Sequence, residues 1–146
     1  MTYVLSNIRC ASPIQGLEPE RDEIVFLNKA VNWEIFRDIP CLKYLYCRTI
    51  DTGGYFVRPE WEGKEMQFFN RFEVLGMTGW RFQYPEGKTP TTGFWVWNIL
   101  KEQGKDVVLV NFLPDKDFTT CHWEGHDWKY EAEVYERVKP KMLVAI

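Results

Sequence analysis

The chain has 146 residues, about the length of one domain, and its 45 % of hydrophobic residues is enough to build a core. Aromatic residues make up 16 %, with seven tryptophans, which predicts either a bulky core or a ligand cleft. The formal net charge of −3 argues against a nucleic-acid-binding protein, since such proteins usually carry a basic face, but it is compatible with a nucleotide-binding pocket.

In the first half of the chain, the hydrophobic pattern predicts strands at residues 2–5, 24–27 and 42–50. A short helix is predicted over residues 30–39, where Pro40 stops it. A longer helix is predicted over residues 61–75, because this stretch holds good helix formers and ends at Gly76.

In the second half, a helix is predicted over residues 93–103, followed by a strand at 107–110, a helix from about Asp127 to Lys139, and a last strand at 142–146. Strands and helices alternate, so residues 1–146 are predicted to form a single α/β domain. We expect a Rossmann-like three-layer fold with a mainly parallel sheet. Ligands of such sheets bind beyond the carboxyl ends of the strands.

The sequence also bears on where the protein works. Its four cysteines, Cys10, Cys41, Cys47 and Cys121, form no CxxC pair, which is typical of reduced thiols rather than of a zinc ribbon. The first eleven residues lack a signal-peptide pattern, and no run of 18 apolar residues occurs. We therefore expect a cytoplasmic protein without a membrane-spanning segment.

The densest group of chemically active residues is the segment 121–131, which holds both histidines of the chain, His122 and His126, among carboxylates that include Glu131. Histidine moves protons near neutral pH, so this segment suggests acid/base catalysis. A metal site would need both imidazoles on one helical face, and Gly125 disfavours that helix. Alternatively, both histidines are surface or helix-capping residues.

A second segment, residues 88–93, places a proline and hydroxyl side chains where a helix begins. Exposed N–H groups there form a cradle for an anion, while Thr91 and Thr92 are also suited to plain helix capping. Two strand-end residues, Asn7 and Asn28, have the donor and acceptor groups that read a ribose or a base edge, although asparagine is also a common turn residue.

A third pattern, Asp115-Lys116-Asp117, matches the DxD sequence with which many sugar transferases hold a divalent metal. Two acids in a loop also occur by chance. Whether Asp115 and Asp117 bind a metal is left open.

Taken in chain order, these segments resemble the motifs of the animal-type sialyltransferase family. The resemblance is carried by residues 4–7 and 22–28, by Pro-Thr-Thr-Gly at 90–93 with the strand that follows, by 122–124, and by the His-x4-Glu pattern of His126 and Glu131. Phe26 stands where the family has arginine, and Asn111 where it has glycine.

This resemblance implies a glycosyltransferase that moves a sugar from a CMP-linked donor to a hydroxyl of a glycan acceptor. His126 would be the general base, His122 would donate a proton to the departing phosphate, and Glu131 would orient the site. The donor would be bound by strand-end and helix-start residues: Asn7, Asn28, Thr91, Thr92 and Gly93. No metal or other cofactor is implied, because the leaving group carries one phosphate.

Two other classes of function stay open from the sequence. One is a non-catalytic relative that binds a nucleotide or a protein partner. The other is a metal-dependent hydrolase in which His122, His126 and an acid converge. The sequence also leaves open a homodimer in which a second copy completes the cleft.

Overall fold

The computed structural model describes residues 1–48, 65–69, 84–112 and 126–146, and for residues 47–48 and 65–69 it describes the backbone only. Within these ranges the chain forms six strands and three helices. The strands are β1 (Thr2–Leu5), β2 (Glu23–Leu27), β3 (Leu42–Arg48), β4 (Glu65–Phe69), β5 (Val107–Val110) and β6 (Lys141–Leu143). The helices are α1 (Trp33–Phe36), α2 (Thr92–Glu102) and α3 (Trp128–Val138).

The six strands form one sheet in the order β4-β3-β2-β1-β5-β6, and every neighbouring pair is parallel. The chain runs outward from β1 to β4 on one side and then continues from β5 to β6 on the other. The direction of the strand order therefore reverses between β1 and β5, which is where open parallel sheets bind ligands. The predicted α/β fold with a parallel sheet is confirmed.

Both faces of the sheet are buried, and neighbouring residues of each strand serve opposite faces. Val4 and Val25 belong to an aromatic-rich cluster under α2 and α3, whereas Leu5 and Phe26 belong to a second cluster under α1. Strands that are covered on both sides are almost continuously apolar. This explains the unbroken run of four buried aliphatic residues in β5.

Local sequence signals predicted most element boundaries to within a residue or two. The predicted bounds of β1 and β5 coincide with the observed ones, and α2 and α3 start and end within one residue of prediction. The helix predicted over residues 30–39 spans only Trp33–Phe36, and it cannot begin at Ala30 because that residue adopts a left-handed conformation with φ of 49°. The last strand ends at Leu143, since the backbone N–H of Ala145 bonds to the Asn111 side chain instead.

The helix predicted over residues 61–75 is wrong for its described part, residues 65–69, which forms strand β4. Glu65 pairs with Tyr44 and Phe69 with Arg48, so the segment extends the sheet in parallel register beside β3. Hydrogen bonding to an available strand edge overrides the helix propensity of such a short segment. The rest of that prediction lies outside the described residues.

Among the described residues, none of the helices combines the length and the apolar character that spanning a bilayer requires. Two of the four cysteines, Cys10 and Cys41, are buried free thiols, as expected for reduced cysteines.

The loop after β1 is held by one buried side chain, Asn32, which is 1 % exposed. Its Nδ2 donates to the carbonyls of Ser6 at 3.1 Å and Ile8 at 3.0 Å, and its Oδ1 accepts from the Cys10 N–H at 2.8 Å. Buried backbone groups outside regular structure need such partners. Asn32 therefore fixes the path of the chain at the carboxyl edge of the sheet.

We expect Asn32→Ala to lower the free energy of unfolding by about 3 kcal/mol, since it removes three hydrogen bonds to the backbone, two of them buried. Urea denaturation measures the change. The matched control is Lys29→Ala at a nearby exposed position, which should change stability by less than about 0.5 kcal/mol. Equal losses for the two variants would contradict this role of Asn32.

Candidate functional site

Helix α2 begins with the Pro-Thr-Thr-Gly sequence, and Thr91 is its N-cap. Thr91 is extended, with φ of −62° and ψ of 154°, and its Oγ1 accepts from the Phe94 N–H at 3.2 Å. The capping role considered for Thr91 is thus confirmed. The N–H groups of Thr92 and Gly93 lie in the first turn, where a helix supplies no acceptor, and no described residue accepts from them.

Glycine at position 93 allows α2 to approach the sheet closely. A Cβ built there would lie 2.5 Å from Phe112 Cε1 and 3.4 Å from Leu27 Cδ1. Leu27 is the last residue of β2, and Phe112 lies just beyond β5. The start of α2 is therefore packed at the carboxyl edge of the sheet, where a ligand site is expected.

Asn28 directly follows β2 and contacts the start of α2. Its backbone is left-handed, with φ of 51°, and its N–H donates to the Tyr46 carbonyl at 2.9 Å. Its side-chain Nδ2 donates to Thr92 Oγ1 at 3.2 Å. The structure thus brings together one predicted strand-end asparagine and one predicted helix-start hydroxyl.

Asn7, the other strand-end asparagine of the prediction, lies apart from this contact. Its side chain is exposed, and its Oδ1 accepts from the Val31 N–H at 3.4 Å, in the loop after β2. It is therefore on the same edge of the sheet, but none of its observed hydrogen bonds joins it to α2.

The end of β5 is tied to the end of β1 by Asn111. The Ser6 hydroxyl donates to the Asn111 carbonyl at 2.6 Å, and Asn111 Oδ1 accepts from the Ala145 N–H at 2.7 Å. Asn111 has φ of 56°, a conformation that asparagine adopts more readily than other non-glycine residues. This left-handed conformation explains why asparagine can replace the glycine that the sialyltransferase motif has at this position.

Phe26, which stands where that family has arginine, is a core residue here. It is 1 % exposed and makes edge-on ring contacts with Trp33 at 5.6 Å and Phe36 at 6.4 Å. An arginine at this position would place an uncompensated charge in an apolar cluster.

Glu131, in the first turn of α3, accepts three hydrogen bonds within the candidate site. It is 3 % exposed. Its Oε2 accepts from the Tyr84 hydroxyl at 2.6 Å and from the Thr91 N–H at 3.0 Å, and its Oε1 accepts from the Thr91 hydroxyl at 2.5 Å. The carboxyl group therefore joins α3 to the N-cap of α2.

Burial dominates the ionisation of this group. It raises the pKa of Glu131 to about 7, even though the hydrogen bonds from Thr91 and Tyr84 favour the ionised form. The pKa of Tyr84 is raised as well, first by burial and then by the neighbouring Glu131 charge. Perturbed carboxyl groups of this kind are concentrated at functional sites, although ion-pair networks of structural origin perturb them too.

His126 lies one residue before α3, whose N-cap Asp127 accepts from the Tyr130 N–H at 2.9 Å. Its ring Nδ1 is 2.5 Å from the Thr89 carbonyl oxygen. A carbonyl oxygen only accepts hydrogen bonds, so we assign the proton to Nδ1. In the neutral ring, the basic nitrogen is then Nε2, which is the atom a general base would use.

Sequence reasoning did not single out Tyr84. Tyr84 is 6 % exposed, and besides its bond to Glu131 its hydroxyl accepts from the Asp127 N–H at 2.9 Å. Nothing in its local sequence marks this role, because both partners are more than 40 residues away and only the fold brings them together.

Three of the predicted segments thus meet at the start of α2, through the pairs Asn28–Thr92, Thr91–Glu131 and Thr89–His126. His122, Asp115 and Asp117 lie outside the described residues. Within the described ranges, no group of three or more His, Cys, Asp or Glu side chains could hold a metal ion. The alternative of a metal-dependent hydrolase therefore requires His122, which lies outside the described residues.

No protein-family model, no curated protein and no solved structure matches this chain.

The raised pKa of Glu131 predicts a pH-dependent stability. Because the folded-state pKa of about 7 lies above the ordinary value of 4.5, the folded chain holds a proton that the unfolded chain releases. The stabilisation that this bound proton gives the folded state is fully present below about pH 4.5 and is lost as the pH rises through 7. Relative to Glu131→Gln, which stays neutral, the wild type should lose on the order of 3 kcal/mol between about pH 4.5 and 8.

Urea denaturation across this pH range measures the difference. Glu133→Gln, at an exposed position of the same helix, is the matched control because it removes the same formal charge. A constant difference in stability between wild type and Glu131→Gln over the whole range would contradict the raised pKa.

Proposed function

We propose that this protein is a sialyltransferase-like glycosyltransferase that moves a sugar from a CMP-linked donor to an acceptor hydroxyl. The observation that carries the proposal is a set of three contacts at the start of α2. Asn28 contacts Thr92, Glu131 contacts Thr91, and His126 contacts Thr89. These residues are far apart in the sequence and belong to three separate segments of the family resemblance.

A Rossmann-like three-layer architecture is part of this proposal. It is supported by the all-parallel strand order, by its reversal between β1 and β5, and by the apolar clusters on both faces of the sheet. Folds of this kind bind nucleotides in the crevice beside that reversal. Asn28 and the start of α2 lie at the same edge of the sheet.

The donor would be held by its anionic groups and its nucleoside. The N–H groups of Thr92 and Gly93, at the positive end of the α2 dipole, suit the phosphate or the carboxylate of the donor sugar. Asn28 would contact the nucleoside with its half-buried carboxamide, and Asn7 would reach it from the end of β1. Burial favours the neutral form of Glu131, which would reduce the negative charge beside an anionic donor.

The transfer step would use His126 as the general base. Its Nε2 takes the proton of the acceptor hydroxyl while the acceptor oxygen bonds to the anomeric carbon of the donor. The bond from that carbon to the phosphate oxygen breaks, and CMP leaves with the electron pair. The Thr89 carbonyl, which accepts from Nδ1, stabilises the imidazolium that forms. His122 would protonate the departing phosphate.

A second candidate function is nucleotide binding without turnover. It is favoured by the hydrogen bonds that Thr91 and Tyr84 donate to Glu131, since such a cluster also serves a purely structural purpose. A turnover measurement distinguishes the two functions.

We expect CMP to bind in calorimetry at millimolar concentration or below, and CMP-linked sialic acid to be hydrolysed slowly in the absence of an acceptor. His126→Ala should lower the hydrolysis rate by about 10²- to 10⁴-fold, the contribution of a general base. Its affinity for CMP should stay near that of the wild type, because the nucleotide would contact Asn28 and α2.

Lys129→Ala, at an exposed position close to His126, is the control and should hydrolyse the donor at the wild-type rate. No heat of CMP binding would overturn the donor site. Binding without turnover by the wild type would favour the non-catalytic alternative.

A further inference from the structure

We infer that Tyr84 is a positioning residue, whose hydroxyl holds the His126–Asp127 turn in the orientation that the base requires; its catalytic consequence rests on the proposed function. Tyr84 belongs to neither the family resemblance nor the set of residues that would touch the donor. Its hydroxyl is nevertheless hydrogen-bonded to two residues at the start of α3, Glu131 and Asp127.

The Tyr84 hydroxyl has one hydrogen to donate, and the distances show where it goes. Its oxygen is 2.6 Å from Glu131 Oε2 but 3.5 Å from the Asp127 carbonyl, so the hydrogen lies toward Glu131. The same oxygen accepts from the Asp127 N–H at 2.9 Å. One hydroxyl therefore joins the turn before α3 to the carboxyl group that holds the start of α2.

The position of this hydroxyl is fixed by the packing of its ring. The Tyr84 ring meets Phe94 of α2 edge-on at 5.7 Å and Tyr130 of α3 edge-on at 5.2 Å. A buried phenol hydroxyl without hydrogen bonds would be costly. Burial and the Glu131 charge raise the pKa of Tyr84, so the group stays protonated and remains a donor throughout the neutral pH range.

The segment 84–90 contacts the turn at a second point. The Thr89 carbonyl accepts from His126 Nδ1, five residues along the chain from Tyr84. With both contacts in place, the backbone at Asp127 and the imidazole of His126 are each held by the same segment. Without the Tyr84 hydroxyl, the Asp127 N–H loses its acceptor in this segment, so the turn is held less firmly. A displacement of about 1 Å at a catalytic group can cost on the order of 100-fold in rate.

Tyr84→Phe tests this role, because it removes the hydroxyl and keeps the ring. The control is Tyr3→Phe, which removes a phenol hydroxyl from the opposite face of the sheet. We expect Tyr84→Phe to lower kcat for CMP-linked sialic acid about 10- to 100-fold with the dissociation constant for CMP changed by less than about threefold. Tyr3→Phe should leave both constants at their wild-type values.

A spectroscopic readout tests positioning independently of turnover. The ring ¹⁵N shifts of His126, assigned by comparison with His126→Ala, should show one tautomer in the wild type, with the proton on Nδ1. In Tyr84→Phe they should show a mixture of the two tautomers, because the ring is held less firmly on the Thr89 carbonyl. Wild-type tautomer and wild-type kcat in Tyr84→Phe would together overturn the role of Tyr84.

A measurement on the wild type covers the case in which Tyr84→Phe does not fold. The Asp127 N–H precedes α3, and within the described ranges its acceptor is Tyr84 Oη. Its hydrogen exchange should be markedly slower than that of an unstructured peptide, and unprotected exchange would overturn the inference. If the wild type shows no turnover, the proposed function fails, while the tautomer and the exchange rate still decide whether Tyr84 positions His126.

Discussion

The candidate site depends on a single buried carboxyl group, that of Glu131. A carboxyl group at 3 % exposure loses most of its hydration, and this loss is offset only where donors surround it. Tyr84 and Thr91 supply three such donors. Because these donors come from the segment before α2, the cost of burying the carboxyl group fixes the distance between α3 and the start of α2.

The position that Glu131 gives to Thr91 also determines how the next residues of α2 contact the sheet. With Thr91 held by Glu131, the next residue, Thr92, faces Asn28 at the end of β2, and Gly93 packs against Phe112 beyond β5. The helix start is thus fixed against both halves of the sheet at the edge where the strand order reverses. Asn32 and Asn111 hold the described loops after β1 and β5 at this same edge through hydrogen bonds.

Much of the fold was predictable because its signals are local. The Thr91 cap, the α3 start at Asp127 and the apolar strands β1 and β5 depend on residues that are neighbours in the sequence. Strand β4 was not, because its conformation is set by pairing with β3 rather than by its own propensity. Helix α1 was predicted at the right place but too long, because the left-handed backbone of Ala30 cannot be read from its residue type.

The candidate site was predictable in its residue types but not in its contacts. Histidine, glutamate and helix-start threonines can be recognised as candidates from their side-chain chemistry alone. The structure brings His126, Glu131 and Thr91 together at the start of α2. Tyr84 carries no such mark, since a tyrosine in an aromatic-rich chain is most often a core residue. Asn7 was predicted as a site residue from its position at a strand end, but its side chain bonds to the loop after β2 and not to the helix start.

Chemical-shift mapping with CMP tests most directly whether the start of α2 is a nucleotide site. On titration with CMP, the amide signals of Asn28, Thr92 and Gly93 should shift together and saturate with one dissociation constant, while signals of α1 on the opposite face stay in place. Unchanged signals at the start of α2, or shifts that are spread over both faces of the sheet, would contradict a nucleotide-sugar site at this edge.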